Sequence, residues 1–324
     1  MTPGPSDSPD IVGLGLATLD VLIRVGDMPA WERAGSIAGF GLDGGGMVGT
    51  ACVAAARLGT RVGYIGTAGS DLAGELKVRT LSERGVDVSR VVRRPGAETA
   101  VVIVYVHEET GERVFVGLRG FSDSPVRQGE LDREYITGAE FLHLDGFHGD
   151  AALQAARWMR EAGRRVAIDC SRTDGGPVSP KLVELLSLVD VLICGSGFGR
   201  ALTGREDLWE AGRAMLDHGP TVVVQTEGAD GCYTTTAEES FHTPAFQVEV
   251  LDTTGAGDVF HGAYLVGLLN DWSLPSVAQF ASAVAAIKCA KLGGREGIPT
   301  LEETVEFLER RGIYQTFPYG RGRP

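Results

Sequence analysis

Near the end of the sequence, Asp252-Thr253-Thr254-Gly255-Ala256-Gly257-Asp258-Val259-Phe260-His261-Gly262 joins a run of small residues to an apolar helical pattern that continues from Val259 to Leu269. A glycine-rich turn that opens a helix presents backbone N–H groups with no internal partners. The missing β-carbons at Gly255 and Gly257 let an anion approach those groups closely. Asp258 falls inside the first turn of that helix. A carboxylate beside an anion site is repelled by the anion, so packing alone favours Ser, Thr or Asn there, whereas an Asp suits a base that takes a proton from an attacking hydroxyl. A second account makes Asp258 a partner of the helix dipole and the glycines a mere turn. The flanking sequence must decide between them.

The elements that position this stretch come from a chain of 324 residues, 43% of them hydrophobic, enough for one large α/β domain or two. A net charge of −13 and the lack of any basic tract argue against nucleic acid or an anionic membrane as partner. Apolar runs such as Ala100 to Val106 stop well short of a membrane span, and the first ten residues carry no basic and apolar leader pattern. Five cysteines, Cys52, Cys170, Cys194, Cys232 and Cys289, are odd in number and far apart, which predicts free thiols in a reducing cytoplasm.

Ile11 to Ala17 reads as a core strand and Val21 to Val25 as a second, with Asp20 at the junction. Gly44-Gly45-Gly46 introduces Thr50 and a small-faced helix from Ala51 to Leu58, stopped by Gly59. Val62 to Gly66 and Asp71 to Arg84 continue the alternation as strand and helix. Thr99 to Val106 and Arg113 to Leu118, joined by the charged Glu108–Glu112 turn, interrupt it as a hairpin. Beyond lie four short strand runs, Phe141 to Asp145, Arg165 to Cys170, Val189 to Cys194 and Thr221 to Thr226, with helical patterns between them. Repeated β-α units imply a parallel sheet with helices on both faces, whose ligands bind beyond the carboxyl ends of the strands. Asp145, Asp169 and Cys194 therefore point at one rim. Helices from about Pro275 to Leu292 and Leu301 to Arg311 close the chain.

Other chemistries find no support. None of the four lysines stands in a Walker A loop, Gly13-Leu14-Gly15 lacks the third glycine of a dinucleotide fingerprint, and the six histidines show no metal spacing. His261, one turn beyond Asp258, reads as a packed helix residue.

The stretch Asp252 to Asp258, with Phe260 and Gly262 behind it, is similar to the second signature of the ribokinase-like, phosphofructokinase-B type carbohydrate kinases. Gly45-Gly46 followed by Ala51 to Gly59 resembles the first signature of that family, Asp20 falls where the family has its sugar-binding aspartate, and Thr226 to Gly231 resembles its nucleotide-binding turn. Four motifs in order cover residues 10 to 312. The nucleotide half, including Phe280 to Pro299, looks most like the branch with sulfofructose kinase and ketohexokinase-like proteins.

The resemblance implies a single ribokinase-like domain over 10–312, a three-layer α/β/α sandwich on a mainly parallel sheet, with a small β-sheet lid drawn from about 20–42 and 98–120 and flexible ends at 1–9 and 313–324. It implies ATP-dependent phosphorylation of a hydroxymethyl group on a ketose, ribose-like sugar or sugar acid. Asp258 would be the general base, with the amides of Gly255, Ala256 and Gly257 as anion hole. Asp20, Gly45, Gly46 and Thr50 would hold the sugar. Thr226, Gly228, Gly231 and Thr254, with Gly255, Gly257 and the segment from Ala286 to Gly294, would bind ATP. Magnesium would accompany ATP, potassium would sit near Asp252 and Thr254, and the lid would pair two copies into a homodimer.

Three departures bear on the substrate. The family's usual Asn residues correspond to Thr18 and Thr50, and its Asn-x-x-Glu stretch aligns with Gly195-Ser196-Gly197-Phe198. A nucleoside kinase is an alternative on the same fold, with Phe40, Val104 and Phe115 as stacking candidates. A sugar- or nucleotide-binding regulator without turnover is another, opposed by the intact Asp258.

Overall fold

The computed structural model describes residues 8–32, 35–121, 123–171, 177–314 and 317. Its principal sheet has nine strands in the order Ser240–Thr243, Cys232–Thr235, Val222–Thr226, Val191–Gly195, Arg165–Cys170, Phe141–Leu144, Ile11–Leu14, Val62–Ile65 and Val86–Asp87. From Val222–Thr226 to Val86–Asp87 every neighbouring pair is parallel, and the two strands at the other edge are antiparallel. Successive residues of a strand point to opposite faces, so near-continuous apolar runs feed two cores at once. Phe141, Ala167, Ile193 and Val224 enter one core with the helices Met47–Arg57, Ala256–Leu269 and Leu274–Cys289. Leu142, Ile168, Leu192 and Val223 enter the other with Gly149–Glu161, Pro180–Leu186 and Leu208–Leu216. This is the expected three-layer sandwich.

A second sheet of four strands, in the order Gly39–Gly45, Thr18–Val25, Val101–His107 and Arg113–Gly117, stands apart from the first. Its strands run further toward the main body than the apolar pattern suggested. Thr18 pairs with Gly45 and Asp20 with Asp43, so Asp20 lies inside a paired strand rather than at a strand end. Thr50 likewise lies within the helix Met47–Arg57 instead of ahead of it. The chain-end expectation falls largely outside the described residues. Of the described residues there, Ile313 and Phe317 pack against the core, and the Phe317 ring centroid lies 4.9 Å from that of Trp272 and 5.2 Å from that of Phe280.

The lid is tied to the body by a buried ion pair. Lys77, on the helix Leu72–Ser82, meets Glu98 at 2.6 Å, with side chains 2% and 4% exposed. The other bonds of the Glu98 carboxylate go to backbone N–H groups, Gly69 on the body at 2.9 Å and Ala100, at the entry to the lid strand, at 2.8 Å. Two ions out of water are tolerable only when each lone pair finds a donor, and removal of one partner leaves the other charged and unpaired. Lys77→Met is therefore expected to lower unfolding free energy by about 3–5 kcal/mol in urea titrations. Adding Glu98→Gln should recover part of that loss, because the lone buried charge goes with it.

Candidate active site

The helix Ala256–Leu269 begins where the sequence places it, and Gly255 is its N-cap with φ of 71°. L-residues with a side chain rarely hold that left-handed conformation, and a β-carbon at Gly255 would also stand 3.1 Å from the Gly294 carbonyl oxygen. At Gly257 a β-carbon would meet nothing within 4 Å. Open space over a helix N-terminus is what an incoming anion needs.

Two cavities meet at this turn. One, of about 590 Å³, lies under the lid and is lined by Thr18, Asp20, Gly45, Gly46, Thr50, Thr254, Gly255 and Asp258. The other, of about 280 Å³, lies on the far side and is lined by Thr226, Gly228, Gly231, Ala256, Gly257 and Ala286. Thr253 borders both. The structure thus brings together all the sequence-predicted residues except Asp252, which lies buried directly behind the turn.

Under the lid, charge is closely managed. The Thr18 hydroxyl donates to Asp20 at 2.6 Å, and burial raises the Asp20 pKa against that bond and the nearby Arg295. Gly45 makes room for the same carboxylate, since a β-carbon there would come within 2.3 Å of Asp20 Oδ2. Asp258 opens to solvent through the cavity, yet its carboxyl is largely walled by protein. This desolvation raises its pKa well above the usual carboxylate value, with the negative charge of Asp169 adding to the rise and Arg295 opposing it. Asp145, pushed to about 7 by burial, accepts from the backbone of Leu16 at 2.7 Å and Phe147 at 2.9 Å. Burial also raises Asp169, which accepts from Ser171. His261 stands behind, 3.5 Å from Asp169, and burial pushes its pKa down to about 3. It is a neutral packed ring, as its place in the helix implied.

On the far side, the segment Gly195-Ser196-Gly197-Phe198 shows why no Asn-x-x-Glu chemistry is available. Phe198 is 1% exposed in the core, while the Ser196 hydroxyl donates to Glu227 at 2.6 Å. Glu227 follows Thr226 at the end of the neighbouring strand, so a carboxylate reaches this corner from a different position. Among the described residues no group of three or more Asp, Glu, His or Cys side chains is arranged to hold a metal ion.

Three functional candidates, Arg113, Arg295 and Phe121, escaped the sequence reading, and a fourth, Lys288, lay within the 286–294 segment without being singled out. Arg113 projects from the lid strand into the cavity beside Phe115, two residues on and on the same face of the strand. Its guanidinium pairs with the Asp252 carboxylate and the Thr254 hydroxyl, and donates to the Thr253 hydroxyl at 2.6 Å. Arg295 lies fully buried beside Thr50, donating to its hydroxyl at 3.2 Å. Lys288, also fully buried, donates to the Asp252 carbonyl oxygen at 2.8 Å. Phe121 lines the larger cavity too. The alternation Arg113, Phe115, Gly117 on a strand was the signal for the first of these; a lone Arg in the Gly293-Gly294-Arg295 run was a weaker one for the second. Of the stacking candidates, Phe115 lines the cavity, Val104 is fully buried in the sheet, and Phe40 stands 64% exposed on the opposite face.

Comparison with known proteins agrees with this geometry. The model of the pfkB family carbohydrate kinases matches residues 9–301. An ATP-dependent ribose-1-phosphate kinase of Halopiger xanaduensis is 31% identical over 301 residues, covering 93% of this chain and 98% of that protein. A ribokinase of Haemophilus influenzae is 29% identical over 274 residues, covering 82% and 87%. The solved structure of an Arabidopsis thaliana ribokinase with ribose and ATP superposes with a TM-score of 0.80 at 21% identity, covering 93% of this chain and 99% of that one. A parallel-sheet sandwich with a separate four-stranded lid, two cavities meeting at the Gly255–Asp258 turn, and a family match across nine-tenths of its length together make this chain a member of the pfkB family of carbohydrate kinases.

Proposed function

We propose that the enzyme transfers the γ-phosphoryl group of ATP to a hydroxymethyl group of a small carbohydrate, a ketose, a ribose-like sugar or a sugar acid or phosphate, held in the cavity under the lid. The observation that carries this reading is the position of Asp258 at the turn where the two cavities meet. Asp20, Gly45, Gly46 and Thr50 would receive the sugar, and Thr226, Gly228 and Gly231 the nucleotide. The acceptor oxygen bonds to the γ-phosphorus as the bond from that phosphorus to the β,γ-bridging oxygen breaks, leaving ADP. The acceptor proton goes to the Asp258 carboxylate. Backbone amides at Gly255 and Gly257 would face the charge that develops on the phosphoryl oxygens, while the Ala256 N–H donates to the Thr253 carbonyl oxygen at 3.2 Å and would have to turn from it to join them. Magnesium would arrive with ATP and neutralise phosphate charge, and Glu227, a hard oxygen donor held by Ser196, would be the carboxylate at that corner to help hold it. Five buried free thiols support a reducing cytoplasm as its location.

Phe115 and Phe121 on the cavity wall favour a second reading, a nucleoside acceptor with its base against them. An ADP-release screen of ketoses, aldoses, sugar acids, ribose 1-phosphate and nucleosides with magnesium separates the two. Turnover on a sugar with none on nucleosides is expected; a nucleoside preference, or no ADP release at all, would overturn the proposal. Asp258→Asn should keep ligand-induced thermal stabilisation while kcat falls about 10²- to 10⁴-fold.

A base must be ionised to act, and a raised pKa keeps Asp258 protonated to higher pH than an ordinary carboxylate. The rate should therefore rise with pH along a limb displaced toward neutrality. Asp169→Asn removes the charge that most raises Asp258, and the limb is expected to move to lower pH. A limb that stays in place would show that Asp169 leaves the base untouched.

The outward face of the lid supports a homodimer. Strand register puts Val21, Ile23, Phe40, Leu42, Ile103, Tyr105, Val114 and Val116 on one face, opposite the one that carries Asp20, Arg113 and Phe115. Phe40, Val114 and Val116 are 64%, 49% and 45% exposed, more apolar surface than a lone sheet face normally leaves in water. Light scattering at micromolar concentration should give twice the chain mass, and Val116→Asp should give one. A wild-type monomer would remove the lid interface.

A further inference from the structure

The resemblance to its family places a potassium ion near Asp252 and Thr254, and the donors found there do not suit one. The corner is electronegative by construction. It holds the Asp252 carboxylate, 6% exposed, and the carbonyl end of the helix Leu274–Cys289, whose Cys289 carbonyl accepts from the backbone of Leu251 and Asp252. Every oxygen of Asp252 that a cation would use is already engaged by N–H donors. One carboxylate oxygen receives Arg113 and the Thr254 backbone, the latter at 2.8 Å; the other receives the Gly293 backbone at 2.9 Å. The main-chain carbonyl receives the Lys288 ammonium at 2.8 Å, and the Thr254 hydroxyl receives Arg113. A potassium ion would have to displace these donors and sit against two fixed positive charges.

We infer that Lys288 and Arg113 are the cations of this corner, and that they take the place a monovalent ion would otherwise fill behind the anion-binding turn. Lys288 reaches it from the last turn of its helix, where a positive side chain is favoured by the helix dipole. It has no exposed surface at all, so salt does not screen it, and burial lowers its pKa while the Asp252 charge opposes that fall. Arg113 arrives on the lid, with its side chain 22% exposed. One cation thus belongs to the body and one to the part that covers the substrate. Lys288 holds the Asp252 backbone and Arg113 the side chains of Asp252, Thr253 and Thr254, from which the Gly255 turn starts, which is the positioning task a bound ion would perform.

The turnover arm of the test rests on the proposed kinase reaction; the melting arm does not. Turnover of the wild-type enzyme with ATP, magnesium and its best sugar is measured in chloride salts of potassium, sodium and choline at equal ionic strength. Rates equal within about twofold are expected, whereas activation of about tenfold or more by potassium over choline would overturn the inference. Thermal melting of the ligand-free protein in the same salts should give one midpoint, and a rise specific to potassium would count against it even if no sugar is turned over. Lys288→Ala opens space and removes the charge, so turnover in choline should drop by about tenfold or more and return in potassium or ammonium salts. A folded Lys288→Ala enzyme that keeps wild-type turnover in choline, or that neither cation restores, would also overturn it. If this variant does not fold, the wild-type salt comparison and melting still decide.

Discussion

A single buried guanidinium organises the floor of the larger cavity. Arg295 is 1% exposed, and an arginine out of water is tolerated only when its donors are met and its charge is faced by acids. Its Nε bonds to Thr50 on one helix, Nη1 to Thr80 on another at 3.1 Å, and Nη2 to the Gly45 carbonyl on a lid strand at 2.6 Å. Its backbone N–H bonds to Asp43 at 3.1 Å, and Asp43 and Asp20 hold its charge against the burial that opposes it. Two glycines follow from this, Gly44 ahead of the helix Met47–Arg57 and Gly49 inside it. A β-carbon at Gly44 would lie 2.0 Å from Nη1 and one at Gly49 2.7 Å from Nη2. These two residues are small because the arginine passes between them, and their neighbours Gly45, Gly46 and Thr50 line the cavity.

The arginine also sets the balance of charge around the proposed base. Asp145, Asp169, Asp258 and Asp20 gather on the rim beyond the strand ends, and burial lifts the pKa of each. Left alone, such a set would share protons among its members. Arg295 lowers Asp20 and Asp258 against their burial, while Asp145 is held down by the Leu16 and Phe147 N–H groups and Asp169 by the Ser171 hydroxyl. The two acids that border the substrate cavity are therefore the two that the buried cation favours in ionised form. Burial still wins at Asp258, whose pKa stays well above the usual carboxylate value, so the cation moderates the rise there without cancelling it.

Much of this was legible in the residues themselves. The Asp252–Gly262 run declared a helix start with an ill-placed acid, the Glu108–Glu112 turn declared a hairpin, and repeated strand-length apolar runs declared a parallel sheet. Each is a local pattern, set by φ, by turn chemistry or by periodicity. The cations were not legible for the opposite reason. Arg295 meets Thr50 across 245 positions, Arg113 meets Asp252 across 139, and Lys288 meets it across 36, so no window of sequence contains both partners. Strand ends were misjudged at Asp20 and Gly45 because pairing across the lid extends both strands into polar, glycine-rich sequence that carries no alternation.

The same difference separates what defines the reaction from what defines the acceptor. In the proposed reaction, base and anion hole share one helical turn, and the geometry of a turn survives any change elsewhere that leaves the helix in place. The acceptor cavity is assembled from a helix, the strands of the lid and the 293–295 loop, held in register by long-range polar contacts. Exchange of amide side chains for Thr18 and Thr50 did not leave empty polar space, since the two hydroxyls are bound to Asp20 and Arg295. They brace the acid and the cation at the cavity wall. The groups that line the cavity beside an acceptor are then Thr18, Thr50, Asp20 and Asp258, the Arg113 guanidinium at the lid, and the Phe115 and Phe121 rings. In the proposed reaction such a wall would discriminate by where an acceptor carries its hydroxyls, so specificity would rest on the lid strand as well as on the signature residues beneath it.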